Sequence, residues 1–594
     1  TPRRGKRLAR RRVLVALAAV LALWPVVAAA VPTPEPNVAG TVLPMPCTAD
    51  RGNVHEAAQA ELDGWEGPEY ERYPGDCQRL RFSFGPIMVK PGQNDVLVQP
   101  VVLEKPWYDG YVTRIRPDLV YEDGSVPPIE QVHLHHGTWL SVPTYGSGPF
   151  FAAGEEKTIA FFPRGYGMPV KATDQWLLLY MVHSAIPQPK TVYITYDVDY
   201  VPVAAAERLG IRPVYPVWLD VESGGYPVFN TQRAFGGDDG TCTYPAEQCA
   251  GFDPWGEVRA AQGLPANRAG ADFALPARGG SLGRMENFQG GTIIGIGGHL
   301  HPGGLTNDID VVRGDRAQRV YTGEARYWRR DDATRPGGPP TSWDFSMTVT
   351  GLPRWGVRVE PGDRIRSNAT YDTTIQSTYE NMGIAVALVA PDKPDGTPTA
   401  PGVDPFTATF DPSPDCRTGG LQARPPTLCD KGVVTHGHLA ENDNFGGPDG
   451  RTSITDRRSG PTGRVDIAGF LYHPGDLSMV SMNGLPTVPL GSTLTFANED
   501  TLLDVFHTAT SCAYPCTGAT GTAFPLANGR SSAGRQLDFD SGELGYGMPY
   551  ITGAKNELQW QLPVTPANGF RPGEVITYFC RVHPFMRGAF EVVG

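Results

Sequence analysis

Glycine and proline recur so often along this chain, 71 and 57 times in 594 residues, that an uninterrupted helix has little room to form. Both residues weaken helix interiors, and proline removes an amide that a helix or inner strand must donate. Between the breaks lie short apolar runs and period-two alternation, clearest in Val192-Tyr193-Ile194-Thr195-Tyr196-Asp197-Val198. Alternate residues of a strand share a face, so this spacing is that of a half-buried strand. The chain is therefore expected to be all-β, built from antiparallel sandwiches. Its length exceeds one usual domain several-fold, so two to four cores are expected. Hydrophobic residues at 40% can fill them, and charged residues at 19% are too dilute for a disordered, solvating chain.

The strand signals divide the chain. Residues 76–203, with Val96-Leu97-Val98 and Trp176 to Val182, read as a first sandwich. Residues 204–395, with Thr292 to Ile296 and Ile384 to Val389, read as a second, interrupted by a Gly-rich insertion around Gly236 to Gly280. A Pro-, Asp- and Gly-rich stretch at 396–460 reads as a linker. Residues 461–594 read as a third, smaller β domain, with strands at Ile467 to Tyr472, Ser492 to Ala497, Glu574 to Phe579 and Ala589 to Val593. Residues 31–75 form an N-terminal extension.

Seven bases and no acid crowd the first twelve residues (Arg3, Arg4, Lys6, Arg7, Arg10, Arg11, Arg12), before an apolar run from Val13 to Val27 and Ala28-Ala29-Ala30. Residues 1–30 thus read as an export signal, and Arg10-Arg11-Arg12 is compatible with a twin-arginine route. The expected location is secreted or periplasmic, with retention at the membrane if the signal stays uncleaved and no membrane span once it is removed. The net charge is -12, and more negative without the leader, which repels phosphate backbones and argues against nucleic acid as a partner. Eight of nine cysteines fall into local couples, Cys47 with Cys77, Cys242 with Cys249, Cys416 with Cys429 and Cys512 with Cys516, as disulfides of an oxidising compartment would. Cys580 is left over.

That thiol opens the strongest chemical signal, Tyr578-Phe579-Cys580-Arg581-Val582-His583-Pro584-Phe585-Met586-Arg587-Gly588. A thiolate, an imidazole and a thioether on one loop, joined by a second imidazole from a distant strand, make the ligand set of a trigonal blue-copper site. His507, directly after Phe506, is the natural fourth ligand. The C-x2-H-x2-M spacing resembles amicyanin and, more broadly, the plastocyanin and pseudoazurin branch of the cupredoxins, over roughly residues 465–594. The resemblance implies a Greek-key β-sandwich in which His507, Cys580, His583 and Met586 hold one type 1 copper.

The remaining histidines concentrate in Gln131-Val132-His133-Leu134-His135-His136-Gly137 and Gly297-Gly298-His299-Leu300-His301-Pro302-Gly303. Strand alternation lets His299 and His301 face one ion. It likewise favours His133 with His135, because the adjacent His135 and His136 share a face only at a bulge or strand end. With Trp176 to His183 and Tyr379-Glu380-Asn381-Met382, these clusters resemble in order and spacing the copper type II monooxygenases, such as peptidylglycine alpha-hydroxylating monooxygenase and dopamine beta-hydroxylase, over about residues 80–395.

That resemblance implies two tandem jelly-roll sandwiches and two further copper ions. One would be held by His135, His136 and His183, with His133 as a substitute ligand. The other, at which dioxygen is activated, would be held by His299, His301 and Met382 as the catalytic set. The implied partners are dioxygen, a small-molecule or peptide substrate, and an electron donor, either a protein or a small reductant such as ascorbate. The fused blue-copper domain is expected to replace or relay that donor. The competing expectation is a non-catalytic copper-binding or electron-transfer protein. A laccase-like oxidase fits poorly, since dense histidine motifs are missing around Cys580. His436 and His438 carry no assignment, and His55 and His473 read as surface residues.

Overall fold

The computed structural model describes residues 42–408 and 457–594, apart from breaks of which the longer are 49–70, 94–99, 222–228, 232–240, 245–272, 275–287, 328–344, 348–354, 373–377, 512–534 and 546–556. The export signal, the Val96-Leu97-Val98 run, His55, His436, His438 and the Cys416–Cys429 and Cys512–Cys516 couples lie outside the described residues, as does Cys249. Regular structure among them is almost all strand, as the sequence predicts, with a seven-residue helix at Val203–Leu209 that ends on Gly210 in the left-handed region, a single turn of α-helix at Val480–Asn483 and two short 3-10 turns. No helix among the described residues is long and apolar enough to cross a membrane.

The first sandwich packs a large sheet, containing Gln78–Val89, Lys190–Pro202 and Gly110–Tyr121, against a four-stranded sheet. The strands of that smaller sheet that matter below are β1 (Val132–Val142), β2 (Pro149–Gly154) and β3 (Gln175–Ser184), with β1 between the other two. In Lys190–Pro202 the alternation works as expected. Val192, Ile194, Tyr196 and Val198 enter a core shared with Trp139 and Trp176. Asp197 and Asp199 face the other way, opposite Arg81 and Arg79 on the neighbouring strand. Their carboxylates sit 2.6 and 2.7 Å from those guanidinium groups, which is how buried acids are tolerated in a sheet. The Cys47–Cys77 disulfide, with Cα atoms 5.7 Å apart, pins the end of the edge strand Val42–Pro46.

The second sandwich sets β4 (Gly291–Leu300) and β5 (Gly383–Pro391), with Tyr215–Asp220 and Val357–Val359, against a sheet centred on Gly304–Arg313. Ala385, Ala387 and Val389 of β5 fill this core beside Ile293, Ile296 and Val311. Ile384, Val386 and Leu388 alternate to the opposite face and meet the first sandwich. Ile294, Ala390 and Ala400 join the first sandwich's core directly, so the seam between the two is apolar. Residues 392–408, which run from the end of the expected second sandwich into the expected linker, turn back over the seam: Thr292 Oγ1 donates to the Ala400 carbonyl at 3.1 Å and Arg358 N to that of Val403 at 2.9 Å.

The C-terminal sheets enclose a third core of Val465, Leu494, Phe496, Ile576, Tyr578 and Phe590. Thr493–Asn498 runs parallel to Arg464–Ala468, and Leu485–Pro489 runs parallel to Arg587–Val593. One sequence expectation is corrected here. Ile467 to Tyr472 is not a single strand but a hairpin, with Ala468 paired to Leu471 across Gly469 (φ 58°) and Phe470 (φ 64°). Two central residues at positive φ match the right-handed twist of the flanking strands, and the apolar Phe470 hides such a turn from a reading by hydrophobicity.

Candidate metal centres

Phe579 pairs with Arg587 where two antiparallel strands meet, so the chain from Cys580 to Met586 forms a tight loop. Cys580 N donates to Met586 O at 3.1 Å, and Met586 N to His583 O at 2.8 Å. The short strand Thr510–Ser511 pairs with the same Phe579, which delivers His507 to the loop. Cys580 Sγ lies 3.9 Å from His507 Nδ1 and 3.8 Å from His583 Nδ1, and the two nitrogens are 3.2 Å apart. An ion bound by two nitrogens and one sulfur at about 2.0 to 2.3 Å would space trigonal donors by roughly 3.5 to 3.8 Å, so this set fits a metal closely. Met586 is buried in the same apolar cluster as Cys580.

The surroundings hold these donors in place. Thr508 N and His583 N each donate to Cys580 Sγ at 3.3 Å. Burial pushes the Cys580 thiol up, but hydrogen bonds and charge from His507 and His583 outweigh it and hold the group well below the usual thiol range. His507 Nε2 meets Asp500 Oδ2 at 2.9 Å, which leaves Nδ1 facing the sulfur. Asp500 also accepts the amides of Gly469 and Phe470 at 2.7 and 3.1 Å, so one carboxylate fixes both the imidazole and the hairpin turn. Burial would raise Asp500, yet His507 and those amides lower it. The turn throws Phe470 edge-on against both His507 and His583. A non-glycine residue at positive φ costs of order 1–3 kcal/mol and is retained here where it walls the site.

The outer nitrogen of His583, Nε2, lies 3.3 Å from the carbonyl of Gly92 in the first sandwich. Gly92 has φ 58°, and a Cβ there would come within 2.7 Å of that nitrogen, so both the turn and the close approach require glycine. Gly92 N donates to Ile186 O at 3.1 Å and Ser184 N to Gln93 O at 2.8 Å, fastening this turn to the end of β3, next to His183.

The other histidines converge at one end of the smaller sheet of the first sandwich. His133 stands directly opposite His183 across β1 and β3. The register then jumps from Leu134 opposite Val182 to His136 opposite Met181, leaving His135 as an inserted residue. This is the bulge that adjacent histidines need in order to turn toward a common point. His299 lies near the end of β4 and His301 directly after it. The rings of His135 and His301 are 4.2 Å apart by centroid, those of His135 and His183 are stacked at 4.1 Å, and those of His299 and His301 are 5.0 Å apart.

Ligating atoms of His133, His135 and His183 lie within 4.8 Å of one another, and so do those of His135, His136 and His301. The imidazoles expected in two separate centres thus adjoin as one group across the seam. Burial, then the neighbouring imidazoles of His183, His301, His136 and His133, hold His135 well below the usual range. Burial and His299 push His136 down to about 3. Burial, with His133, His136 and His583 following, lowers His183. Neutral imidazole is the form that binds metal.

Glu155, directly after β2 and fully buried, places Oε1 2.5 Å from His135 Nδ1 and 3.7 Å from His133 Nε2. Holding Nδ1 turns Nε2 of His135 inward, where it has no hydrogen-bond partner among the described residues. Met382 is buried with Ile384 against Trp218, and its carbonyl accepts from Tyr371, whose hydroxyl oxygen accepts from His301 N, both at 2.7 Å. Glu155, Asp500, Phe470 and Gly92 were not singled out from sequence. Glu155, Phe470 and Gly92 act through partners remote along the chain, whereas Asp500 lies seven residues before His507, close enough to suggest itself.

No family model matches the chain, and no curated protein matches it. Solved structures overlap it only slightly: the major capsid protein P2 from Bacteriophage PM2 at 10% identity over 53% of this chain and 98% of that one, with TM-score 0.21, and PBCV-1 VP54 at 8% identity over 57% and 88%, with TM-score 0.16. Oxalate decarboxylase of Bacillus subtilis overlaps at 8% identity over 52% and 68%, with TM-score 0.09. Overlaps this small carry nothing about function.

Proposed function

We propose that the chain is an exported copper oxidoreductase, an oxygen-dependent monooxygenase whose histidine cluster receives electrons through the C-terminal thiolate site. The observation that carries this reading is the contact of His583 with Gly92, on a turn hydrogen-bonded to the strand of His183, so that two dissimilar donor sets adjoin within one chain. His507, Cys580, His583 and Met586 suit a one-electron copper, since the loop, Asp500 and Phe470 hold the donors in one arrangement whatever the oxidation state. The cupredoxin resemblance supports the same assignment.

In the cluster, Glu155 orients His135 and occupies its Nδ1, which leaves that ring one nitrogen for one ion. His135 with His133 and His183 then makes one ligand set. His136 remains to join His299 and His301, with Met382 beside them. This differs from the family-derived sets by putting His133 in place of His136 beside His135 and His183 and moving His136 to the second set. Bound copper would supply one-electron chemistry and a place for dioxygen. The overall balance puts one oxygen atom into a C–H bond and the other into water, consuming two electrons from an external reductant and two protons. Burial favours the neutral form of His135, His136 and His183, and the apolar seam excludes water.

A Cys580→Ser variant tests the relay. Turnover with a protein donor should be lost while turnover with a small reductant such as ascorbate persists; equal loss with both defeats the relay. A second reading, a copper-binding or electron-transfer protein without oxygenation, is favoured by the pooling of six imidazoles, which suits storage as well as catalysis. Oxygen consumption with reductant and candidate substrates separates the two.

A further inference from the structure

We infer that the substrate of this oxidoreductase is a small, uncharged, apolar molecule, bound in a cavity between the two sandwiches that ends on His299. The inference rests on the proposed function and narrows it. The cavity has a volume of about 70 Å³ and takes walls from both sandwiches, among them Phe150 and Phe161 on one side and Ile384 and Val386 on the other. One water needs roughly 10–15 Å³ on this measure, so the space holds on the order of five or six non-hydrogen atoms.

The cavity exists because of an alternation already described. The positions of β4 that face the first sandwich are Gly295, Gly297 and His299, with Gly297 opposite Val386 and His299 opposite Ile384. Gly297 brings no side chain to fill the space, and the next outward residue is the imidazole. Beyond it stands His301, ring to ring with both His299 and His135. A molecule lying over Gly297 therefore presents one end to the histidine cluster.

The lining sets the chemical class. Among the described residues it contains no Asp, Glu, Lys or Arg, and its polar side chains are those of Thr158 and His299. In the chain without metal, a carboxylate or ammonium entering here would lose its hydration with no opposite charge among the described residues to meet, whereas an alkyl or aromatic group gains by leaving water. Amino acids, amines and peptide termini are disfavoured, and short hydrocarbons or small rings are favoured.

The test uses the full chain without added metal and three probes of similar size: benzene, butyrate and butylammonium. Benzene should give a saturable rise in the thermal unfolding midpoint and the two ions none. Val386→Trp, which fills the floor, should abolish the benzene response with an unchanged circular dichroism spectrum. Should that variant misfold, Thr158→Trp, at a partly exposed wall position, serves in its place. The inference is overturned by a wild-type chain that ignores benzene, by ions that stabilise as strongly, or by a tryptophan variant that responds as the wild type does. Copper uptake, measured on the same preparation, keeps the two claims apart. Copper bound without a benzene response defeats the cavity alone, and a benzene response without copper defeats the oxidoreductase reading.

Discussion

The donors around Cys580 are buried throughout and those around His135 nearly so, with His136 partly exposed, but the two sets are assembled by different means. The first set comes from one sandwich, with Cys580, His583 and Met586 on a single loop and His507 brought in by a strand that pairs with the same residue. Asp500, two amides and a strained aromatic then fix it from behind. The second set comes from β1, β3 and the end of β4, so it is complete only where two sandwiches meet. Its supporting carboxylate, Glu155, belongs to one side of that seam. Local chain geometry secures the first site, and domain packing secures the second.

The largest predicted effect tests whether His135 is the keystone of the second set. His135→Ala should weaken copper binding at the cluster on the order of 100-fold or more, beyond the 10–100-fold typical of a supporting residue, and leave the visible band of the Cys580 site unchanged. Equal loss from His136→Ala, measured by the same metal titration, would mean that the two imidazoles are equivalent and the bulge has no special part. Next is Asp500→Ala, expected to lower copper affinity of the thiolate site about 10–100-fold and shift its absorption, with the histidine cluster unaffected. A loss at both sites would show that the third domain supports the seam. The smallest effect is Glu155→Gln, which keeps an acceptor for His135 but removes the charge; about tenfold weaker binding at the cluster is expected, with the Cys580 site untouched. If the glutamine variant loses as much as His135→Ala, the charge itself, rather than ring orientation, is what the cluster needs.

What could be read from sequence follows the same division. The loop of Cys580, His583 and Met586 is contiguous, so its chemistry is visible in a string of letters, and His507 is the nearest upstream imidazole to a strand end. The strands of Lys190–Pro202 and β5 announce themselves by alternation. The bulge at His135 does not, because the inserted residue is defined only by its partner strand. Alternation joins His133 to His135, and the family resemblance joins His135 to His136; the bulge places His135 beside both. That the two histidine motifs adjoin as one group depends on the docking of Ile294, Ala390 and Ala400 into the first core, a long-range event with no local signature. The Gly469-Phe470 turn was missed because an aromatic residue at positive φ runs against propensity.

Residues 392–408 have a practical meaning for anyone dissecting the molecule. Their last contacts lie well past the final strand of the second sandwich: the Arg212 guanidinium donates to the Thr399 carbonyl, and Arg358 pairs with Asp392 besides meeting Val403. A fragment trimmed at Pro391 would keep every strand of that sheet yet lose its latch, whereas one carried through Ala408 keeps it. The boundary of a separable histidine-bearing unit is thus drawn by the clasp and not by the last strand.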